Sequence, residues 1–240
     1  MNLFKFFKDK NEKLMLIIFI LSFILFIVTS SKAPMVSYFH YKWLEILLTS
    51  EAIKTISSGV VSAYIFYIFV EIKPKYDKER KTLEVLNQAM ASIVEGFFNA
   101  NIFQHEKSIR HVKFEVKNSS EKIKEAIYNI QNNEVNFLQL KFAMQTAHSR
   151  YVDFQNLLAL TVILSPKHVL YWLDLTDKVR LLSDVYNNQL DELDINIVSN
   201  LKQINSPEIN STEVFCSDLK FRVMEFFESV LEWQNLNEIK

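Results

Sequence analysis

Two long apolar stretches constrain this chain more than any other feature. They run over residues 14–31 and 55–72, 18 residues each, and Glu71 is the one charged residue in either. A helix rises about 1.5 Å per residue, so each stretch would be about 27 Å long, close to the ~30 Å hydrocarbon thickness of a bilayer. The pattern predicts two membrane-spanning helices within a hairpin at 1–75.

The first stretch, taken alone, also fits two other structures. Its basic start and the Ser-Lys-Ala sequence before Pro34 resemble a signal peptide with its cleavage site. Proline directly after the cut is unfavourable, and the second stretch would anchor the product in any case. A buried helix pair of a soluble protein is the other alternative, but an apolar run without a polar face is unlike an amphipathic core helix.

The cations that flank the two stretches predict their orientation. The connecting segment carries three lysines against two glutamates, whereas nine cations lie on the outer flanks. These nine are Lys5, Lys8, Lys10, Lys13, Lys73, Lys75, Lys78, Arg80 and Lys81. Cytoplasmic flanks of membrane helices carry an excess of lysine and arginine, so we expect both termini in the cytoplasm.

Four small residues lie close together on the second span. Ser58, Gly59, Ser62 and Ala63 form two small-xxx-small pairs, a spacing that lets helix backbones approach closely in lipid. Two interpretations stay open. Either the first span packs on this face within one chain, or the face joins copies of the chain into a homo-oligomer.

Beyond the hairpin, composition and periodicity predict helices only. The chain has two glycines and four prolines, whereas tight hairpin turns depend on glycine. Apolar residues recur at intervals of three and four, which is the helical period, in four series. These are Leu83, Leu86, Met90, Ile93 and Phe97; Phe137, Leu140, Met144, Ala147, Tyr151, Phe154, Leu158 and Thr161; Leu175, Val179, Leu182 and Tyr186, followed by Leu193 and Ile197; and Leu219, Val223, Phe226, Val230 and Trp233.

Capping signals divide this region into four predicted helices. Asn118 and Glu121 have the spacing of a capping box, and both Ser165 and Ser206 precede a proline as N-caps do. Pro74 is expected at the junction where the second span ends or bends. We expect helices near 76–116, 119–164, 166–204 and 211–238. The predicted fold is all-α, the two-span transmembrane hairpin followed by an elongated antiparallel cytoplasmic helical bundle at 76–240.

Two passages fit this scheme less directly. Residues 111–117 alternate like a strand, and we interpret them as a frayed helix end, with a short strand or irregular segment as the alternative. Residues 157–164 are apolar all round and too short to span a membrane. We expect them to form the most buried turn of the bundle or a contact surface.

No motif for catalysis or metal binding is visible. None of the four histidines beyond the hairpin has a glutamate three residues before it, and two glycines are too few for a nucleophile elbow or a phosphate-binding loop. The lone Cys216 is expected to pack, and the acidic residues between Asp174 and Asp194 are expected to form a solvated face. We therefore predict no enzyme, no metal, no cofactor and no small-molecule substrate.

One segment is locally basic, and it is the candidate contact patch of the chain. Its residues are Lys107, Arg110, Lys113, Lys117, Lys122 and Lys124. Nucleic acid, an acidic partner or lipid headgroups would fit it, and a solvated helix end is the simpler interpretation. Residues 82–240 carry 15 cations against 21 carboxylates, which argues against a general nucleic-acid binder.

In its order of parts, a two-span hairpin followed by a large domain without a catalytic set, the chain resembles the small two-span membrane effectors of bacterial anti-phage systems, such as those encoded with retrons. The resemblance implies an effector or sensor in the bacterial inner membrane. Its helical domain would respond to a protein or ribonucleoprotein partner and alter the assembly of the hairpin in the lipid bilayer. A membrane-tethered scaffold that recruits cytoplasmic proteins is the alternative, and an enzyme with a scattered site is the third hypothesis.

Overall fold

A computed structural model describes residues 10–30, 50–100, 116–187 and 207–238. Of these residues 93% are helical and none is in a strand, so the all-α prediction is confirmed for them. The elements are α1 Lys10–Ser30, α2 Glu51–Tyr67, a π-helical segment Ile68–Ile72, α3 Lys73–Phe98, α4 Val116–Gln131, α5 Phe137–Thr161, α6 Pro166–Asn187 and α7 Pro207–Glu238. They form two compact units, Met1–Lys78 (unit 1) and Glu79–Lys240 (unit 2).

Unit 1 is built on the pair of helices α1 and α2. The rings of Phe19 and Tyr64 stack with centroids 4.5 Å apart. Further along the pair, Lys75 Nζ lies 3.0 Å from Glu12 Oε1. The contact residues advance along one helix as they recede along the other, so the two helices run in opposite directions.

Most of the described apolar side chains of unit 1 are not buried by the chain itself. No residue in the most apolar window of the first helix is buried. Glu12–Ser30 and the continuous helix Glu51–Phe98 are both long and apolar enough to cross a membrane, by length and composition. In the described part of the chain, these are the two helices with that property.

The second long helix continues through Pro74, where the sequence predicted an end or a bend. Proline lacks an N–H and its ring collides with the carbonyl four residues earlier in a regular helix. Here Ile68–Ile72 form a π turn, in which the N–H of Lys73 donates to the carbonyl of Ile68, five residues back. The wider turn directly before Pro74 accommodates its ring, so α2, the π segment and α3 form one helix.

Helix α7 is the centre of unit 2. It packs against α4, α5 and α6. Its Trp233 and Phe227 also contact Asn87 and Phe97 of α3, with Trp233 Nε1 donating to Asn87 Oδ1 over 2.9 Å. The row that α7 buries is Leu219, Val223, Phe226, Phe227, Val230 and Trp233. One helix therefore supplies a core face to every other described helix of this unit.

Two pairs of neighbouring helices in unit 2, α5 with α6 and α4 with α7, run in opposite directions. In the pair α5 and α6, His148 contacts Ser183 while Phe154, further along α5, contacts Trp172, which lies earlier in α6. The same reversal relates α4 to α7, where Ser120 Oγ donates to Gln234 Oε1 over 2.6 Å. At the other end of that pair, Gln131 lies beside Met224.

The predicted helical period is confirmed by burial. Four of the five apolar residues of the first series are buried and Leu83 packs against them. In the last series, all five residues from Leu219 to Trp233 are buried. Leu193 and Ile197 lie outside the described residues.

Several predicted helix limits are wrong. The helix expected over 76–116 ends at Phe98, and the one expected over 119–164 is two helices. Between them Asn133 adopts a left-handed backbone with φ of 57°, and the capping box is made by Asn136 and Gln139. The predicted box at Asn118 falls inside α4, because that helix has already begun.

The two proline-led starts are correct. Helix α6 begins at Pro166, and α7 begins at Pro207, four residues before the predicted limit. Before the first of them, Ser165 caps α6, since the N–H of His168 donates to its hydroxyl over 3.5 Å.

The passage over 157–164 is not the most buried turn of the unit. Helix α5 ends at Thr161 and a turn follows, in which Val162 is 70% exposed. Of the alternating passage at 111–117, the first five residues lie outside the described residues, and Val116 and Lys117 are in the first turn of α4.

Gly96 permits the close approach of α3 and α5. A methyl group on Gly96 would lie 2.7 Å from Thr146 Oγ1 and 3.3 Å from the carbonyl oxygen of Phe142. We expect Gly96→Ala to lower the free energy of unfolding by about 1–3 kcal/mol through overpacking, despite the better helix propensity of alanine. Urea unfolding of the full chain, followed by tryptophan fluorescence, measures this loss.

The matched background for this prediction is Thr146→Ala, which removes the nearest clashing oxygen. In the Thr146→Ala background, Gly96→Ala should lower the free energy of unfolding by less. An equal loss from Gly96→Ala in both backgrounds would contradict the overpacking explanation.

Candidate functional site

The predicted small-residue face points away from α1. Gly59, Ser62 and Ala63 are exposed, and Ser58 is half-buried. The buried residues of α2 are Ser57 and Tyr64. At about 100° per residue, Gly59 lies roughly 140–160° around the helix from both. Helix α1 therefore does not cover this face, and the small residues are open to another helix.

The polar contact between α1 and the second long helix is one that sequence reasoning missed. Glu12, at the start of α1, is 6% exposed and pairs with Lys75 at 3.0 Å, and the side chain of Lys75 is half exposed. The other carboxylate oxygen of Glu12, Oε2, and the hydroxyl of Tyr64 are buried without a hydrogen-bond partner. The sequence shows a single acid at the border of an apolar helix, but not which residue would meet it.

At one end of unit 2, two buried indoles connect four helices, α3, α5, α6 and α7. The Nε1–H of Trp233 donates to Asn87 of α3, and the Nε1–H of Trp172 donates to the carbonyl of Phe154 over 3.0 Å. The rings of Trp172 and Trp233 meet edge to face, with centroids 5.4 Å apart. Each indole is buried, and its Nε1–H donates a hydrogen bond, as is usual for buried tryptophans.

His168 completes this arrangement, and it is fully buried. Its Nε2 lies 3.3 Å from Asn237 Oδ1, an acceptor, so we assign the ring proton to Nε2. The neutral ring then accepts from the hydroxyl of Ser165 at Nδ1 over 2.6 Å. Asn237 in turn donates to the carbonyl of Trp233 over 2.8 Å. We call Asn87, Ser165, His168, Trp172, Trp233 and Asn237 the end cluster.

The end cluster fixes the turn between α5 and α6 to the last turns of α7. Ser165 closes that turn, and through His168 and Asn237 it is joined to Trp233. None of these residues was a candidate from the sequence. Trp233 belonged to a predicted apolar row. The hydrogen bonds of His168 with Asn237 and of Trp233 with Asn87 join residues 69 and 146 positions apart, which periodicity does not reveal.

The predicted acidic face is exposed but paired. Arg180 contacts both Asp177 and Asp184, at 2.8 and 3.0 Å. Asp174 accepts from the hydroxyl of Ser229 on α7 over 3.1 Å. The remaining acids of the prediction, Asp191, Glu192 and Asp194, lie outside the described residues.

A second ionic contact joins α6 to α7. Lys178 Nζ donates to Glu225 Oε1 over 3.2 Å, and this hydrogen bond raises the pKa of Lys178. Glu225 also accepts from Arg222 at 2.8 Å. These contacts fix the register of two antiparallel helices, which is a structural role.

The predicted basic patch falls only in part within the structure. Lys107, Arg110 and Lys113 lie outside the described residues. Lys117 is in the first turn of α4, and its side chain lies outside them too. Lys122 and Lys124 are both exposed on α4. The structure therefore places two of the six cations on one helix surface.

Nucleophiles in the described part of the chain are poorly placed for chemistry. Burial raises the pKa of the Cys216 thiol, which opposes the reactive thiolate. Ser183 Oγ lies 3.0 Å from His148 Nδ1, but Ser183 is buried between two helices.

The described residues hold no group of three or more histidine, cysteine or carboxylate side chains placed to bind a metal ion. No protein-family profile, curated protein or solved structure matches this chain.

The hydrogen bond between Trp233 and Asn87 is testable by substitution. Asn87→Ala leaves a buried indole N–H without its partner, so we expect a loss of about 1–3 kcal/mol in the free energy of unfolding. Asn235→Ala is the matched control at an exposed position of α7, with an expected effect within about 0.5 kcal/mol. Urea unfolding of the full chain measures both. Equal effects of the two variants would show that the bond does not hold α3 to α7.

The ion pair of Glu12 and Lys75 is testable by charge reversal. We expect Glu12→Lys to disturb the register of α1 against α2, because it places two cations together in a largely buried position. Adding Lys75→Glu should restore the register. The readout is a short bifunctional maleimide that links cysteines introduced at Phe19 and Tyr64 in a Cys216→Ala background.

The control for this test is Lys78→Glu, a reversal at a neighbouring exposed position. It should leave the crosslinking yield unchanged. If the double reversal crosslinks no better than Glu12→Lys alone, the pair does not set the register.

Proposed function

We propose that this protein is a membrane-anchored effector or sensor. Its two apolar helices cross the bacterial inner membrane as a hairpin, with both termini in the cytoplasm. Unit 2 is an elongated antiparallel helical bundle that responds to a protein or ribonucleoprotein partner. The response changes the assembly of the membrane helices and perturbs the membrane, in the manner of anti-phage defence.

One observation carries this proposal, the continuity of the helix Glu51–Phe98. Its first part exposes large apolar side chains, such as Ile56, Phe66 and Phe69, as a lipid-facing helix does. Its last part buries Leu86 and Phe97 in the core of unit 2. A partner that repacks this core therefore acts on the same helix that carries the span.

The π segment lies between these two parts of the helix. Such segments place an extra residue in one turn and are frequent at functional positions. Ile68–Ile72 occupy the end of the apolar stretch, directly before Pro74. We infer that this segment is where a change in unit 2 alters the rotation of the span.

Self-association through the small-residue face is the second part of the proposal. Gly59, Ser62 and Ala63 are exposed opposite the α1 contact, so another copy reaches them without displacing α1. In lipid there is no hydrophobic drive between helices, and close backbone packing on small residues is a main source of association. Assembly of several hairpins is the step that would damage the membrane.

Graded substitution at Gly59 tests this function. Gly59→Leu should block close packing between copies, and Gly59→Ala should permit it, while neither disturbs the contact of α1 with α2. In bacteria that overproduce the chain, we expect loss of membrane potential with the unchanged protein and with Gly59→Ala. A potential-sensitive dye should report no such loss with Gly59→Leu at equal amounts of protein in the membrane.

Other outcomes reject the proposal in distinct ways. An intact potential with all three proteins, together with stable capture of a cytoplasmic protein complex, favours a membrane-tethered scaffold. Equal depolarisation by all three shows that membrane damage does not need this face. Recovery of the full chain in the soluble fraction rejects membrane insertion itself.

A further inference from the structure

Unit 2 exposes apolar side chains at the turn between α5 and α6. Val162 is 70% exposed and Leu170, in the second turn of α6, is 67% exposed. Lys167 lies between them in sequence and is exposed as well. We call Val162, Lys167 and Leu170 the turn surface. The core of unit 2 does not use these side chains, although the turn itself is firmly anchored.

The end cluster places this turn at the end of unit 2 where the chain enters it. His168, one residue after Lys167, meets the ring of Trp233 edge to face at 5.4 Å. Trp233 is bonded to Asn87, which lies eight residues after the first residue of the unit, Glu79. The turn surface and the entry of the chain therefore lie at the same end of unit 2.

Only six residues lie between Ile72, the last residue of the second apolar stretch, and Glu79, so the two are seven positions apart. Even a fully extended chain of that length reaches no more than about 25 Å, and a helix of that length reaches about 10 Å. If the apolar stretch is in the bilayer, Glu79 therefore lies within about 25 Å of the bilayer surface.

We propose that the turn surface is a second membrane contact, which docks on anionic phospholipid at the cytoplasmic face. Val162 and Leu170 enter the boundary between headgroups and acyl chains, and Lys167 pairs with lipid phosphate. This mixture of apolar and cationic side chains is typical of protein surfaces that lie in the membrane interface. The inference rests on the proposed membrane insertion of the two long helices.

The composition of the turn surface favours lipid over a second copy of the chain. Its two apolar side chains are too few for a stable protein interface, which buries about 800 Å² on each partner. Its cation, Lys167, is exposed and matches the charge of an anionic headgroup.

A fluorescent probe on single cysteines tests this contact in the full chain. The Cys216→Ala background carries one cysteine in place of Val162, Val214 or Phe66, labelled with an environment-sensitive dye. Val214 is the matched control, a valine that is 68% exposed, on α7 and about 35 Å from Asn237 along that helix. Phe66, 69% exposed, reports on the span.

Each variant is placed in nanodiscs at one copy per disc, with phosphatidylglycerol and with nitroxide-labelled lipid as the quencher. We expect strong quenching at position 66, clear quenching with blue-shifted emission at 162, and little of either at 214. Lys167→Gln, or replacing the phosphatidylglycerol with phosphatidylcholine, should reduce the quenching at 162 and leave that at 66 unchanged.

The three positions separate the failures. No quenching at 66 rejects membrane insertion and with it the proposed function. Quenching at 66, with position 162 no different from 214, overturns the lipid contact alone. Shielding of the probe at 162 only in discs with several copies also overturns it, because a second chain then covers the turn surface.

Discussion

The burial of Trp233 is the interaction on which unit 2 depends. This side chain is 1% exposed and connects α7 to α3 through Asn87 and to α6 through Trp172 and His168. A buried indole removes about 150–250 Å² from water, which corresponds to an upper estimate of about 4–6 kcal/mol. That is a large part of the net stability of an ordinary domain. Its N–H also donates to Asn87 of α3, so the same residue supplies both stability and a directional contact with α3.

The apolar rows of unit 2 could be predicted because burial on a helix is a local pattern. Any helix that packs along one face repeats its apolar residues every three or four positions, whatever its neighbours are. Polar contacts between helices could not be predicted in this way. The partners of His168 and Trp233 lie on other helices, and only the assembled fold brings them together. For the same reason Glu12, at the border of an apolar stretch, gave no indication that Lys75 would meet it.

The errors in helix limits have specific physical causes. The turn at Asn133 was missed because Ile130 and Phe137 on its two sides are seven positions apart, which matches two turns of one helix. Asparagine is nevertheless one of the residues that tolerate the left-handed backbone. At Pro74 an end or a bend of the helix was predicted, and the helix does not end there. A proline ends a regular helix, but the π turn before it relieves the collision with the earlier carbonyl. A local widening of the backbone leaves no mark in the apolar pattern, so sequence periodicity cannot distinguish a passage through Pro74 from an end.

The side chains that the chain leaves exposed differ in kind between the two units, and the difference follows from the solvent each would meet. On α2 the exposed face opposite α1 carries Gly59, Ser62 and Ala63, which permit a close approach to the backbone, and large apolar side chains such as Phe66 flank them. Such a face gains by packing against a helix in lipid. At the α5–α6 turn the exposed residues are Val162 and Leu170 beside a lysine. Burial of the two apolar side chains is favourable because it removes them from water, and the lysine is stabilised where anions are present. An anionic membrane interface provides both conditions.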